Sequence, residues 1–145
     1  MSKPGLLFVD DEPENVALAA EILGESLDVP VRVVDSVEEA VLALLDEPYK
    51  AVVMDLFIPL GDHPDRVLGP RASRFQDKVE HLGGLVLLEE IDRMEERRPM
   101  VISHTACTDH VLLDLFGDRV ARRIPKPAPL DTLLQNLMEA LASDS

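Results

Sequence analysis

The sequence predicts a three-layer α/β sandwich built on a parallel β-sheet. Five short apolar runs alternate along the chain with helical patterns, and such alternation places a helix between successive parallel strands. The clearest runs show no polar alternation, which marks strands buried on both faces. Polar residues suited to chemistry close several runs, at the strand ends where open parallel sheets gather their sites.

Leu6-Leu7-Phe8-Val9 is the first strand and stops at Asp10-Asp11. Pro13 suits a helix start, and Val16, Ala17, Ala20, Ile22 and Leu23 follow near helical spacing up to Gly24. Val31–Val34 is the second strand. Ser36-Val37-Glu38-Glu39 reads as a capping box opening a helix whose inner face holds Ala40, Val41, Leu44 and Leu45. Ala51–Met54 is the third strand, closed by Asp55. A helix is expected over Leu85–Glu96, with Leu85, Leu88 and Ile91 inward and Leu87 a further candidate for that face, and a fourth strand over Met100–Ser103. Thr108 is the expected cap of a short helix through Leu112, Leu113 and Phe116, ended by Gly117. Val120–Ile124 is a fifth, less apolar strand. Pro129 or Asp131 opens a last amphipathic helix carrying Leu133, Leu134, Leu137, Met138 and Leu141. The last few residues are expected to fray.

The chain has 145 residues, which fits one domain over residues 1–145. Its formal charge of −14 would repel a phosphate backbone, so direct nucleic-acid binding is not expected. No apolar run approaches the ~18 residues of a membrane span, and the N-terminal run is too short for a signal peptide. The expectation is a cytoplasmic protein without membrane insertion. A single cysteine, Cys107, excludes an internal disulfide and a multi-cysteine metal site.

The strand ends present Asp10, Asp11 and Glu12, then Asp55, then Ser103-His104-Thr105, then Lys126-Pro127. Each has a bland reading: an aspartate there is commonly a turn residue, a Thr a helix cap, a Lys-Pro pair a loop. Together they supply what one mechanism needs. If the first and third strands are neighbours, their carboxylates converge and repel. Mg²⁺, a hard cation that takes oxygen ligands, relieves that repulsion and holds an incoming phosphoryl group beside Asp55. Lys126 adds a second positive charge, and a hydroxyl from Thr105 or Ser103 can bind a phosphate oxygen. An aspartate nucleophile so surrounded is suited to forming an acyl phosphate.

In these residues the chain resembles the response-regulator receiver domains of two-component signalling, of the stand-alone type. Phe8-Val9-Asp10-Asp11-Glu12 is similar to the family's acidic motif, and Met54-Asp55-Leu56-Phe57-Ile58-Pro59 to its phosphoacceptor motif. Thr105-Ala106 and Lys126-Pro127 resemble its hydroxyl and lysine motifs, and Gly84–Leu88 the start of its third helix. The resemblance implies a doubly wound, flavodoxin-like sheet of five parallel strands flanked by five helices. It implies that Asp10, Asp11, Asp55 and the main-chain carbonyl of Phe57 hold Mg²⁺, or Mn²⁺ in its place. Asp55 would take phosphate from a histidine kinase or phosphotransfer protein, Thr105 and Lys126 would contact the phosphoryl group, and the peptide before Pro127 would often be cis. Such a protein is not an ordinary enzyme: it catalyses its own Mg²⁺-dependent phosphorylation and dephosphorylation and signals through a downstream protein.

The sequence departs from the family in four places. An insertion, about residues 61–83, separates the phosphoacceptor loop from the third helix. Thr105 stands one residue further from Pro99 than usual, which leaves Ser103, His104 and Thr105 all open for the hydroxyl position. Arg122-Arg123-Ile124-Pro125 lacks the aromatic usually found before the lysine, and Ala128 replaces a large apolar residue. Within the insertion Asp62, Asp65, Asp77 and Glu80 balance Arg66, Arg71, Arg74 and Lys78. Phe75, Val79 and Leu82 fall at helical spacing from Ala72 onward. Arg66, Arg71, Arg74 and Phe75 are candidates for a lid or docking element, and Arg122 and Arg123 for part of an output face. His63 and His81 are read as loop residues rather than metal ligands.

The competing expectation is a receiver-like scaffold that binds partners without phosphorylation. A phosphatase with an aspartyl-phosphate intermediate would require an acid two residues after Asp55, where Phe57 stands. No glycine-rich loop follows the first strand to suggest nucleotide binding.

Overall fold

A computed structural model describes residues 4–63, 83–116 and 119–142. Its elements in chain order are β1 (Gly5–Val9), α1 (Ala17–Leu27), β2 (Val31–Val34), α2 (Val37–Asp46), β3 (Tyr49–Met54), α3 (Gly83–Asp92), β4 (Met100–Thr105), α4 (His110–Phe116), β5 (Arg122–Pro125) and α5 (Leu130–Ala142). The five strands form one sheet in the order β2-β1-β3-β4-β5, and every pairing is parallel. β1 and β3 are therefore neighbours at the centre, in register from Leu6 with Ala51 to Val9 with Met54.

Alternation along the strands sorts the core into two halves. Leu7, Val9, Val52, Met54 and Val101 face one side and pack with Val37, Ala40 and Leu44 of α2 and Val86, Leu88 and Ile91 of α3. Leu6, Phe8, Ala51, Val53, Ile102 and Ile124 face the other, against Ala19, Ala20 and Leu23 of α1 and Leu133, Leu137 and Leu141 of α5. Each fully buried Leu, Ile or Phe contributes about 1.5–3 kcal/mol, so the sheet is clamped from both faces. This is the expected doubly wound architecture, and the central strands are buried throughout except at Lys50 near the start of β3. No helix among the described residues is long and apolar enough to cross a membrane.

Several boundaries differ from the sequence expectation. α1 runs through Gly24 and ends at Leu27, where Asp28 adopts a left-handed conformation. Gly24 serves close packing: a Cβ there would stand 3.1 Å from Val31 Cγ1 and 3.3 Å from the Val29 carbonyl. α3 ends at Asp92 and not at Glu96, and a short 3₁₀ turn over Glu95–Arg97 follows. Asp109 caps α4 in place of Thr108, its Oδ1 accepting from the N–H groups of Val111 and Leu112. β5 begins at Arg122, two residues later than expected. The helix expected from Ala72, the candidates Arg66, Arg71, Arg74 and Phe75, Gly117 and the C-terminal tail lie outside the described residues.

At the start of α2, Ser36 caps as expected, its Oγ accepting from the Glu39 N–H at 3.2 Å. The chain after Asp55 satisfies two more of the helix's free amides. Val37 N–H donates to the Pro59 carbonyl and Glu38 N–H to the Leu60 carbonyl, both at 2.9 Å. The segment following the third strand is thus docked on the N-terminus of α2.

Candidate functional site

The tight register of β1 with β3 brings Asp10 and Asp55 to the same edge of the sheet, each one residue beyond its strand. Both are buried, while Asp11 is exposed. One carboxylate oxygen from each of Asp10, Asp11 and Asp55 can be chosen so that all lie within 4.8 Å of one another. Lys126, just past β5, reaches across the end of β4, its Nζ donating to Asp10 Oδ2 at 2.7 Å and Asp55 Oδ2 at 2.8 Å. Its backbone N–H donates to the Thr105 carbonyl, and the Lys126–Pro127 peptide is cis, in keeping with the sequence expectation.

The remaining oxygens of the two buried aspartates organise their own loops. Asp10 Oδ1 accepts from the Glu12 N–H at 2.9 Å, and Asp55 Oδ1 from the Phe57 N–H at 3.2 Å. Phe57 itself is exposed. Gly84 at the start of α3 approaches the Asp55 backbone so closely that a Cβ would lie 2.6 Å from the Asp55 carbonyl oxygen.

One ammonium faces three carboxylates. Desolvation, and then the charges of Asp10 and Asp55, push the Asp11 carboxyl above its ordinary pKa. Burial disfavours the charged form of Lys126, but its hydrogen bonds to Asp10 and Asp55 outweigh that cost and raise its pKa. The donors are all hard oxygens, excess negative charge is left at the mouth of the site, and Asp11 is open to solvent. This donor set fits a small divalent cation such as Mg²⁺, which binds few carboxylates and keeps water ligands.

β4 carries the three candidates for the hydroxyl position, and all three are buried. Alternation separates them. Val101 packs toward α2 and α3 and Ile102 toward α1 and α5, so Ser103 and Thr105 follow Val101, whereas His104 follows Ile102. Asp10, Asp55 and Lys126 share the Ile102 side by the same count from Phe8, Val53 and Ile124. Thr105 Oγ1 accepts from the Cys107 N–H at 3.2 Å. Ser103 Oγ and His104 Nδ1 are buried without a hydrogen-bond partner among the described residues. Burial, and then the charge of Lys126, lower the His104 pKa against the opposing pull of Asp10 and Asp55. The sequence signal for His104 was its distance from Pro99; strand parity supplies the decisive information.

On the β5 side, Arg123 is exposed and donates to the Leu113 carbonyl of α4 at 3.1 Å. Arg122 turns to α5, reaching Asn136 Oδ1 at 2.9 Å and Glu139 Oε2 at 2.8 Å. Val111 and Leu115 of α4 are exposed apolar residues on this flank.

The fold is that of CheY-like receiver domains. A response-regulator receiver domain protein (CheY-like) from Methanospirillum hungatei JF-1 superimposes with a TM-score of 0.70 at 17% identity, over 98% of this chain and 96% of that one. The non-phosphorylated HemR receiver domain from Leptospira biflexa gives 0.66 at 24% identity, over 97% and 95%. A BeF3-activated DrrB receiver domain gives 0.66 at 18% identity, over 98% and 99%. No family model matches the sequence, and no curated protein matches it either.

Proposed function

We propose that the protein is a response regulator that takes a phosphoryl group onto Asp55 and signals by protein–protein interaction. The observation that carries this reading is the contact of Lys126 Nζ with both Asp10 and Asp55 in a pocket shared with Asp11. Asp10, Asp11, Asp55 and the Phe57 carbonyl are the proposed ligands of Mg²⁺ or Mn²⁺. A divalent ion there neutralises charge on the phosphoryl oxygens and on the carboxylates.

An Asp55 carboxylate oxygen attacks phosphorus, a P–O bond forms, and the P–N bond of a phosphohistidine donor breaks. The electron pair leaves with the donor imidazole, which takes a proton from solvent. Lys126 is already within hydrogen-bond reach of Asp55 and pairs with the phosphoryl oxygens as their charge builds. Loss of the group to water returns the resting aspartate, so the domain performs both halves of its cycle without being an ordinary enzyme.

The proposed donor is a histidine kinase or phosphotransfer protein, and the proposed setting is the cytoplasm. Residues 1–145 are read as one receiver domain. The proposed output face combines α4, β5 and α5, with Val111, Leu115 and Arg123 exposed on it.

The test is intact-protein mass after incubation with acetyl phosphate and Mg²⁺. One added phosphoryl group that is absent from Asp55→Asn supports the reading. No added mass, with phosphohistidine donors also tried, overturns it. A second reading, a scaffold that binds partners without phosphorylation, draws on Arg123, which holds the α4 backbone where the family usually has a mobile aromatic. It would leave partner binding unchanged in Asp55→Asn.

A further inference from the structure

We propose that His104, and not Thr105 or Ser103, is the side chain that donates the uncharged hydrogen bond to the phosphoryl group on Asp55. This rests on the receiver reading above and names a contact residue of that same site.

Three independent observations converge. β3 and β4 are in register at Met54 and Ser103, so the next residues along the two strands are Asp55 and His104. β4 and β5 are in register at His104 and Ile124, and Lys126 is the next residue of β5's chain with the same parity as Ile124. Asp55, His104 and Lys126 thus occupy one face at one end of three adjacent strands. Thr105 points to the opposite face, where its hydroxyl already binds the Cys107 N–H and turns the chain toward α4. Ser103 lies on that opposite face as well.

His104 is also 4% exposed, and its Nδ1 has no hydrogen-bond partner among the described residues. A buried polar atom without a partner bears its desolvation penalty uncompensated, and a functional contact completed by a ligand is one of the few physical reasons for a native fold to keep one. A neutral imidazole carries one N–H donor and one acceptor nitrogen. It can serve the oxygen of a tetrahedral phosphoryl group as a hydroxyl does, with a stiffer and longer reach. No bond is made or broken by His104 in this role.

The first measurement uses wild-type protein. Ring nitrogens of the four histidines, His63, His81, His104 and His110, are followed by NMR while beryllofluoride, a phosphoryl mimic, is added with Mg²⁺. The expected result is a large shift of the His104 ring signals that Mg²⁺ alone does not produce. Kinetics with acetyl phosphate give the second arm. His104→Ala is expected to slow phosphorylation of Asp55 about tenfold, the loss of one hydrogen bond to a charged group. His104→Thr recovers part of the rate, and Thr105→Val stays within about twofold of wild type.

A His104 ring unmoved by beryllofluoride while the Asp55 amide shifts overturns the proposal and leaves the receiver reading intact. So does a slow Thr105→Val beside a normal His104→Ala. Wild-type protein that accepts neither beryllofluoride nor a phosphoryl group overturns the receiver reading, and this inference falls with it.

Discussion

Lys126 Nζ lies 2.7 Å from Asp10 Oδ2 and 2.8 Å from Asp55 Oδ2, so one ammonium ties the end of β1 to that of β3 from a position past β5. Burial opposes its charge, but the two hydrogen bonds raise its pKa above the ordinary lysine value of 10.5. A raised pKa means that the folded state binds the proton more tightly. The resulting stability is complete below about pH 10.5 and is lost as pH rises through the folded value. Lys126→Met should therefore destabilise the metal-free protein by about 2–3 kcal/mol at neutral pH, because two buried carboxylates lose their partner. The gap between wild type and variant should narrow in strongly alkaline buffer. Urea unfolding at both pH values measures it; an equal gap at both would refute the linkage.

Asp11 has the opposite sign. Desolvation and the charges of Asp10 and Asp55 raise its pKa above 3.8, so its ionised form opposes folding above that folded pKa. The penalty fades as pH falls through the folded value and is absent below the unfolded one. Asp11→Asn should stabilise the metal-free protein at pH 7 by about 0.5 kcal/mol, a figure reduced because Asp11 faces solvent. The same variant should lose much of the melting-temperature rise that millimolar Mg²⁺ gives wild type. Thermal melts with and without Mg²⁺ read both effects, and a variant less stable without metal would reverse the argument.

The sheet was legible because buried parallel strands such as Leu6–Val9 and Ala51–Met54 leave apolar runs that no surface element imitates. Asp10, Asp55 and Lys126 were legible for a related reason: each ends or follows a strand, and parallel sheets bring such ends together. Gly24 misled because a glycine that stops a helix and one that admits a neighbouring strand look alike in sequence. Thr108 and Asp109 are both good caps, and only backbone geometry chooses between them. His104 differs from Ser103 and from Thr105 by one step along the strand, which reverses the face it presents. No local pattern fixes that step; the pairing with β3 and β5 does.

Gly84 makes a sharper test of how the loop after Asp55, the proposed phosphoacceptor, is held. Its N–H donates to the Leu56 carbonyl at 3.0 Å, and an added Cβ would lie 2.6 Å from both the Asp55 carbonyl oxygen and Leu56 Cα. These are backbone atoms that cannot swing aside as a flexible side chain would. Gly84→Ala should cost about 2–3 kcal/mol by overpacking and should slow phosphorylation of whatever fraction remains folded, since Asp55 would shift with its backbone. Chemical denaturation together with mass-resolved phosphorylation checks both; a fully stable, fully active variant would show that the loop gives way freely.

Glu38 is a buried carboxylate that no chemical step requires. Its Oε1 accepts from the His63 N–H at 2.9 Å, while its own N–H is bound by the Leu60 carbonyl. Between these contacts Gly61 adopts φ 111°, and a Cβ there would meet Glu38 Cβ at 2.8 Å. Glu38 therefore pins the segment that leaves Asp55 onto the start of α2, where a negative charge is also favoured by the helix dipole. Glu38→Gln keeps an acceptor oxygen and should cost under about 1 kcal/mol. Glu38→Ala removes the acceptor and should cost about 1–2 kcal/mol, with amide exchange at His63 rising sharply while exchange in β1 and β3 changes only with global stability. Native-state hydrogen exchange read residue by residue separates these outcomes, and unchanged protection at His63 in Glu38→Ala would mean that the anchor lies elsewhere.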